Sequence, residues 1–250
     1  MFYTTAVSSS SPALPPAPRR PARTTARQAA RRPGLTVEQV VAAAIAVLDE
    51  EGVAGLSMRK VAERLGTGAA TLYAYVSGRE ELLELVFDEL VGTVALPSPS
   101  DPKRWREEVM TAFRSLHAVL VSHRDAALAG LGRIPTTPKT MAASEAMGTV
   151  MRAGGLSDRA IALGLDTLML YVCAAAFEDS MFDRTMSPED LRAYHDSVDD
   201  FFRALPGDQF PVLTSLIEPM TGPDGEERFD FGLEVILAGL EAVSVRERAR

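Results

Sequence analysis

Side chains able to catalyse a reaction are sparse in this sequence, and their spacing does not assemble a catalytic set. His123–Asp125 matches the catalytic-loop tripeptide of protein kinases, but no glycine-rich loop, strand lysine or Asp-Phe-Gly triplet accompanies it. Glu178 and Asp179 form a carboxylate pair that lacks an acid or base partner for proton transfer. None of the three histidines has a second ligand-type residue at metal-binding spacing. The sequence therefore predicts a protein that is not an enzyme and that holds no metal ion or other cofactor.

Composition describes an ordinary globular chain suited to a reducing compartment. The 250 residues are 46% hydrophobic and 24% charged, which is typical of soluble domains with a sizeable core. The one cysteine, Cys173, lies within an apolar run, so the chain has no disulfide framework. The chain has no run of about eighteen uncharged apolar residues, so no membrane span is predicted. We therefore expect a cytoplasmic protein that does not associate with a membrane.

The residues after position 56 follow a pattern of two short helices separated by a glycine turn. Apolar residues recur at the spacing of one helix face at Met58, Val61, Ala62 and Leu65. Gly66 stands where a left-handed residue ends a helix. Ala69–Tyr75 has the length of a second short helix, with Leu72 directed inward. A helix, a turn with glycine and a second small-faced helix form the helix-turn-helix pattern, whose second helix enters the major groove of DNA.

The same stretch resembles the DNA-binding domain of the TetR family of bacterial transcriptional repressors. The resemblance is carried by the runs LSMRKVAERLG, ATLYAYV and GREELL, and it extends over roughly Thr36–Val94. It implies that Gly68–Tyr75 is the helix that reads DNA, with base contacts from Thr67, Gly68, Ala69, Ala70 and Thr71. These small side chains include no Arg, Asn or Gln for a bidentate base contact, so DNA shape must contribute to specificity.

The resemblance also implies contacts with DNA phosphates on either side of this reading helix. Tyr73 and Tyr75 would present hydroxyls at its end, and Arg79 would present a guanidinium at the start of the next helix. Ser57 and Arg59 begin the preceding helix, whose free N–H groups can also meet a phosphate. For the tyrosines the alternative is partial burial with a bonded hydroxyl, and for Arg59 it is an ordinary surface cation.

Charge is distributed unevenly along the chain, whose net charge is −8. Residues 1–35 contain six arginines and no acidic residue, whereas residues 36–96 contain four basic and ten acidic residues. A basic segment thus precedes an acidic body that phosphate would repel. Residues 1–34 are rich in Pro, Ser, Ala and Arg and are predicted to be a disordered arm. The arm is either a solvated tail or a segment whose arginines follow the minor groove.

Helical patterns continue through the rest of the chain and predict an all-α protein. Thr36 and Gln39 form a capping box that begins the first helix, Gly52 ends it, and a helix over about 78–93 connects the head to the body. After a proline-rich linker, helices are predicted at Pro102–Ser122, Asp125–Gly130, Pro138–Ala153, Asp158–Asp179, Pro188–Ala204, Pro211–Ile217 and Arg228–Arg246. The predicted architecture is a three-helix helix-turn-helix head at 35–95 and a larger helical effector-binding and dimerisation domain at 101–246.

The body resembles the effector-binding domain of the tetracycline-repressor type within this family. The resemblance covers most of 101–245 and is carried by Leu120–Pro135, Ala153–Asp179 and Arg228–Ala242. It implies a two-state repressor, in which an effector enters the body, the connecting helix swings, and paired reading helices lose an operator spacing of about 34–36 Å. Tetracycline itself is not expected, because Ala95, Ala112 and Gly130 stand where that drug and its metal ion are held.

The remaining candidates for an effector pocket are almost all apolar. They are Phe113, Leu116, His117, Leu120, Leu131, Met147, Met151, Leu165 and Met169. They predict a cavity with few polar groups and hence a small hydrophobic or aromatic effector. Ordinary core packing is the alternative for each, and His117 is either a polar contact for the effector or a satisfied surface histidine.

Two predicted helices are more apolar than packing inside a monomer requires, which predicts a homodimer. Their apolar residues are Ile161, Leu165, Leu168 and Val172 on the first, and Phe229, Leu233, Ile236, Leu237, Leu240 and Val243 on the second. The complete prediction is a homodimeric, ligand-responsive repressor that binds double-stranded operator DNA. Two alternatives remain: a constitutive DNA-binding protein with a filled body, and an all-helical enzyme whose pocket gathers titratable groups.

Overall fold

The computed structural model describes residues 34–98, 101–132, 134, 136–222 and 224–249, and it describes the backbone but not the side chains of 182–184. All regular secondary structure in this part of the chain is helical. The predicted all-α architecture is confirmed. The predicted arm, except for Gly34, lies outside the described residues.

Four helices form the head: α1 (Val37–Gly55), α2 (Met58–Arg64), α3 (Ala69–Leu72) and α4 (Arg79–Val91). A linker and a short 3₁₀ turn at Pro102–Arg104 then lead into the body. The body helices are α5 (Trp105–Ser122), α6 (Ala126–Gly130), α7 (Pro138–Ala153), α8 (Asp158–Thr185), α9 (Pro188–Arg203), α10 (Pro211–Ser215), α11 (Ile217–Thr221) and α12 (Gly225–Arg248).

Helix α1 begins where the sequence predicts and continues one turn past its predicted end. The Thr36 hydroxyl accepts the N–H of Gln39, and the Gln39 side chain accepts the N–H of Thr36, which completes the capping box. Val40, Ala44 and Leu48 are fully buried against the rest of the head. At Gly52 the backbone has φ +74°, a conformation that favours glycine, and the regular helix is interrupted there.

The turn between α2 and α3 is a glycine-dependent helix end. Gly66 has φ +61°, the Thr67 N–H donates to the Ala62 carbonyl, and the Gly66 N–H donates to the Glu63 carbonyl. This pair of bonds is the Schellman motif, in which a left-handed residue turns the chain sharply. Ser57 caps the start of α2 by accepting the N–H of Lys60 at 3.3 Å. The turn therefore fixes how α3 projects from α2.

Helix α4 connects the two parts of the protein. Its buried face includes Leu82, Val86 and Leu90, and it packs on α1 in the head and on α6 and α7 in the body. Helices α5, α8 and α12 pack together as the centre of the body. Several predicted boundaries in the body differ by a few residues: α8 continues six residues past Asp179, α12 begins at Gly225 rather than Arg228, and α10 ends at Ser215. The end of α10 follows from Pro219, which has no N–H to bond the Ser215 carbonyl.

Candidate DNA-binding surface and effector cavity

The reading helix is held to the head by two buried side chains. Leu72 is completely buried in α3, and Val76, just after it, is 2% exposed. Gly68, Ala70 and Tyr73 are exposed, with Tyr73 at 45%. The other predicted base-contact residues, Thr67, Ala69 and Thr71, are half-buried. All five therefore have at least part of their surface accessible to solvent.

The regular helix is shorter than predicted, because α3 covers Ala69–Leu72 and the chain then turns through Tyr73–Tyr75. Gly68 precedes α3 without a side-chain cap. A Cβ atom placed there would meet no atom within 4 Å, so the space in front of α3 is open. The Ala74 and Tyr75 N–H groups bond back to the Thr71 and Leu72 carbonyls, which keeps the turn compact.

Arg79 is the predicted phosphate contact with the most extensive internal bonding. Its Nε donates to the Leu56 carbonyl at 2.9 Å, and its Nη2 donates to the Val53 carbonyl at 2.6 Å. Its Nη1 lies 3.2 Å from a carboxylate oxygen of Glu80. The guanidinium thus ties the start of α4 to the link between α1 and α2. The side chain is still 37% exposed, so part of it faces solvent.

The cations of α2 are all paired with acidic residues of the head. Lys60 bonds Glu51, and Arg64 Nη1 lies 2.8 Å from Glu50. Arg59 Nη1 lies 3.2 Å from Glu63, one turn along the helix, but its side chain is 75% exposed. Such an exposed pair is weak, so a phosphate could replace the glutamate.

A cavity of about 280 Å³ lies in the body between α4, α5, α7 and α8. Its lining includes five predicted effector residues: Phe113, Leu116, Met147, Leu165 and Met169. Ala95, Ala112 and Gly130, the positions that resemblance assigns to tetracycline contacts, also line it. The other four predicted residues, His117, Leu120, Leu131 and Met151, are not in the lining. Leu120 and Met151 are fully buried and pack in the solid core instead.

The prediction missed the wall that α4 contributes and the polar start of α7. The wall consists of Glu84, Phe87 and Val91. Thr137, Thr140 and Ser144 follow one face of α7, and the Ser144 hydroxyl donates to the Thr140 carbonyl at 2.8 Å. The apolar residues Leu96 and Ile134 are 48% and 79% exposed at the edge of the cavity. The sequence contains one signal for the cavity wall on α4, because Phe87 and Val91 lie one helical turn apart, next to the apolar residues that pack in the core.

His117 is placed outside the cavity and between α8 and α12. Its ring stacks on Phe229 with centroids 4.2 Å apart. Its Nε2 atom lies 3.1 Å from Asp179 Oδ2, although the two groups are not aligned for a hydrogen bond. The two neighbouring carboxylates of α8 thus have separate partners: Asp179 lies beside the His117 ring, and Glu178 lies 3.8 Å from Arg228.

Cys173 lies behind the cavity wall. It is completely buried, and a Cβ atom at Gly130 would be 3.0 Å from its sulfur. Burial raises the pKa of the Cys173 thiol from 9.0 to about 12, so the thiol is neutral and unreactive at physiological pH.

The kinase-like tripeptide joins the head to the body. His123 Nδ1 lies 2.9 Å from Asp49 at the end of α1, and Arg124 donates to the Glu50 carbonyl at 2.8 Å. Asp125 adopts a left-handed conformation with φ 55° as the chain turns into α6. These residues therefore connect elements of the fold. Among the described residues, no group of three or more His, Cys, Asp or Glu side chains could hold a metal ion.

Helices α8 and α12 each present an apolar stripe to solvent. On α8 the stripe runs through Leu163, Thr167, Leu170, Ala174 and Met181, and on α12 through Phe231, Val235, Ala238, Ala242 and Val245. Steps of three and four residues separate most neighbours, which is the spacing of helices that pair side by side. Of the apolar residues that the sequence places on these two helices, Leu168, Val172 and Leu237 are fully buried, so the exposed stripes consist of other residues. The homodimer stays a prediction.

Helix α8 is long and apolar enough over Asp158–Met181 to cross a membrane by length and composition alone. It packs on α5 and α12 of the same chain, and 39% of its apolar window is buried there. This is the behaviour of a core helix with one additional apolar face.

A helix-turn-helix head joined through one helix to an all-helical body with an apolar cavity defines a ligand-responsive bacterial transcriptional regulator. Family comparison agrees with this class. Residues 40–86 match the model of bacterial regulatory proteins of the tetR family, and residues 98–244 match the tetracyclin repressor-like C-terminal domain. The chain therefore belongs to the TetR family, and the resemblance seen in its sequence is confirmed.

Individual relatives extend over most of the chain. The HTH-type transcriptional repressor DrrR1 of Streptomyces coeruleorubidus is 33% identical over 220 residues, which are 87% of this chain and 81% of the relative. The class D tetracycline repressor of Escherichia coli is 27% identical over 83% of this chain and 89% of the relative. The structure of Streptomyces coelicolor ActR in complex with actinorhodin aligns with a TM-score of 0.77 and 39% identity, over 85% and 98% of the two chains.

Proposed function

We propose that this chain is a homodimeric repressor that holds operator DNA through α3 and releases it when a small hydrophobic or aromatic molecule fills the cavity. The observation that carries the proposal is the position of α4. The N-terminal end of α4 follows the reading helix directly, and Arg79 bonds it to the head. Further along the same helix, the side chains of Glu84, Phe87 and Val91 line the cavity. A ligand that displaces this wall therefore displaces the support of the reading helix.

The chemistry of the lining favours an apolar effector over tetracycline. Phe87, Phe113 and Leu116 provide broad apolar walls. Ala95, Ala112 and Gly130 offer no side-chain ligand for a metal ion or a drug hydroxyl. ActR, which is similar to this chain over most of its length, is known in complex with actinorhodin. An aromatic effector of that general kind suits a cavity with these walls.

The exposed stripes of α8 and α12 support the dimer. Phe231 is 68% exposed and Leu170 is 47% exposed, which is unusual for large apolar side chains on neighbouring helices. Pairing two copies across these stripes would form a four-helix interface and would set two reading helices at a fixed spacing. We propose 35–95 as the DNA-binding domain, 101–246 as the effector-binding and dimerisation domain, and the cytoplasm as their site of action.

The two alternative functions have less support. A constitutive DNA-binding protein would be expected to have a filled body, whereas this body contains an apolar cavity. An enzyme would gather titratable side chains around its pocket. Within the described part of the lining the titratable side chains are Glu84 and Asp166 alone. We therefore infer that the chain has no catalytic role.

The proposal can be tested by selecting a duplex from a random DNA pool with the full chain and measuring its affinity by fluorescence anisotropy. Actinorhodin is the first probe to titrate into the complex. We expect it to raise the melting temperature of the protein and to release the duplex. If the duplex bound as tightly in saturating actinorhodin, and in saturating concentrations of other aromatic polyketides, as it does without them, ligand-dependent release would be contradicted.

Two adjacent alanines of α7 provide a matched pair of control variants. Ala143 lines the cavity, and Ala142 is exposed on the same helix. Ala143→Phe should fill part of the cavity and reduce the response to the probe, whereas Ala142→Phe should leave it unchanged. Equal responses in both variants would place the ligand elsewhere on the protein.

A further inference from the structure

Helix α7 begins without a cap of its own. Thr137 has the extended backbone of a capping residue, with φ −93° and ψ 152°, but its side chain bonds no N–H of the helix. A carboxylate from another helix does so instead. Asp88 of α4 accepts the Lys139 N–H at 2.9 Å and the Thr140 N–H at 2.8 Å, both through Oδ1.

Breaking the two hydrogen bonds between Asp88 and α7 is costly unless another group replaces them. Asp88 is 6% exposed, so water cannot readily replace the two N–H groups around its carboxylate. The start of a helix also attracts negative charge, because its N–H groups are unpaired and its dipole is positive there. Asp88 therefore moves together with the first turn of α7.

Neighbouring contacts reinforce the same connection. Lys139 Nζ lies 2.6 Å from a carboxylate oxygen of Glu89, the next residue on α4. The stem of Lys139 crosses Gly92, where an added Cβ atom would lie 2.3 Å from the lysine Cδ. The last turn of α4 thus contacts the first turn of α7 on two sides.

We infer that Asp88 is the positioning residue that couples the cavity to the DNA-binding head. This inference rests on the proposed function. Thr137 and Thr140, in the first turn of α7, line the cavity. A ligand that presses on this turn pulls α4 through Asp88, and α4 carries the displacement toward the reading helix. Coupling between two sites is reciprocal, so DNA that fixes α4 must also steady the first turn of α7.

This reciprocity allows a test that needs no effector. The probe is the duplex selected from a random pool by the wild-type protein, and the measurement is hydrogen exchange at the amides of Lys139 and Thr140. In the wild-type protein the duplex should slow this exchange by about fivefold or more, the usual lower range of coupling between sites. An unchanged exchange rate on DNA binding would overturn the inference while leaving DNA binding itself established.

The decisive variant separates capping from coupling. Asp88→Ala with Thr137→Asp gives α7 a cap from its own chain and removes the bond to α4. We expect this double variant to bind the duplex, to protect both amides, and to show no change in their exchange when the duplex is added. If the duplex slowed amide exchange in the double variant as much as in the wild-type protein, Asp88 would have a structural role only.

Asp88→Asn provides a second variant that keeps the side-chain volume. Its amide oxygen can accept the same two N–H groups, so it should retain most of the exchange response to DNA, and a lost response in a protein with the wild-type circular dichroism would contradict coupling through these hydrogen bonds. A wild-type protein that selects no duplex from the pool would instead contradict the proposed function, and the inference would fall with it.

Discussion

The proposed DNA-binding surface and the proposed effector cavity are built in opposite ways. The surface comes from one continuous stretch, Ser57–Arg79, whose short helices and turns follow one another directly along the chain. The cavity is assembled from α4, α5, α7 and α8, whose lining residues run from Glu84 to Met169. A local motif therefore specifies the first, whereas the second exists only through the packing of separate helices.

The two regions also differ in how much of the structure depends on one residue. Helix α3 has four residues and a single buried one, Leu72. Each cavity wall is part of a longer helix with several buried residues of its own, as α5 has in Val109, Phe113 and Leu120. Loss of one anchor should thus affect the reading helix much more strongly than loss of one lining residue affects the cavity.

The largest expected effect comes from Leu72→Ala. It should cost about 2–5 kcal/mol of stability in the head, because a fully buried leucine leaves a cavity on truncation. The reading helix would then lose its support, and binding to the selected duplex should disappear. Urea denaturation and fluorescence anisotropy measure the two consequences.

Leu165→Ala is the matched substitution in the body. Leu165 is half-buried and already faces open space, so the cost should be only about 1–2 kcal/mol and DNA binding should persist. If both variants lost DNA binding equally, the contrast between a singly anchored surface and a broadly supported cavity would be wrong.

Gly130→Ala should have the next largest effect, because it acts on the place where α6 meets α4. An added Cβ atom would lie 2.4 Å from Phe87 Cε2, so the ring of Phe87 would have to move. Overpacking of this kind costs about 1–3 kcal/mol. The shift of α4 should also weaken DNA binding without an effector, as anisotropy can measure. Gly132→Ala, in the next loop, would serve poorly as a control because Gly132 has φ +68°.

A suitable comparison for Gly130 is Gly225→Ala, at the exposed start of α12 and away from the proposed dimer stripe, where an added Cβ atom meets nothing within 4 Å. It should leave DNA affinity unchanged in the protein as isolated. Unimpaired DNA binding by Gly130→Ala would show that α4 tolerates displacement of Phe87, and would separate the cavity wall from the reading helix.

Arg79 and Arg59 should differ in a way that sharpens the description of the head. Arg79→Ala removes donors from the Val53 and Leu56 carbonyls and should cost about 1–2 kcal/mol, whereas exposed Arg59→Ala should cost less than about 0.5 kcal/mol. If both side chains contact the DNA backbone, each substitution should weaken binding to all DNA sequences alike. Each should also reduce the slope of log affinity against log salt concentration by about one, the contribution of one phosphate contact. Denaturation and salt titrations measure these quantities separately.

Arg79→Lys keeps the charge but not the planar fork that reaches two carbonyls. It should retain the salt dependence of the wild-type protein and lose stability. A loss of affinity confined to one operator sequence would contradict the phosphate role assigned to Arg79.

The sequence predicted the head almost completely because its signals are local. Thr36 and Gly66 each determine a helix boundary, by capping and by left-handed backbone, and Gly52 interrupts α1; these effects extend over a few residues only. What the sequence could not predict was the internal use of Arg79. Its bonds to carbonyls 23 and 26 residues away depend on how α4 folds back onto the end of α1.

The cavity was predicted less well, for a physical reason. Periodicity identifies the buried face of a helix but does not say which part of that face is left unfilled. Leu116 and Leu120 are one turn apart on the inner face of α5, yet Leu116 lines the cavity and Leu120 lies in the solid core. Phe87 likewise reaches the cavity from α4 beside Gly130, where a side chain would meet its ring, and helix periodicity cannot show such a contact between separate elements.

Cys173 gives a selective probe of the body, since the head contains no cysteine. With the pKa of its thiol raised to about 12, folded protein at pH 8 offers neither thiolate nor access to an aromatic disulfide reagent. Labelling should be at least about a thousandfold slower than in denaturant, because it requires opening of a domain stable by about 5 kcal/mol or more. Above pH 9, where the unfolded thiol ionises first, stability should fall until about pH 12, and Cys173→Ala should remove the part of that slope that belongs to the thiol, leaving the part from Tyr171, whose pKa is also raised by burial.

The same probe tests whether head and body are independent, with the smallest expected change. In the Leu72→Ala variant the damage lies in the head, so Cys173 should be labelled at the wild-type rate although DNA binding is lost. Head and body are also connected through His123 and Asp49, whose contact is 2.9 Å long. If labelling accelerated in step with the stability lost from the head, the two parts would unfold as one unit. The surface and the cavity would then still differ in how the sequence encodes them, but they would have one common stability because they unfold together.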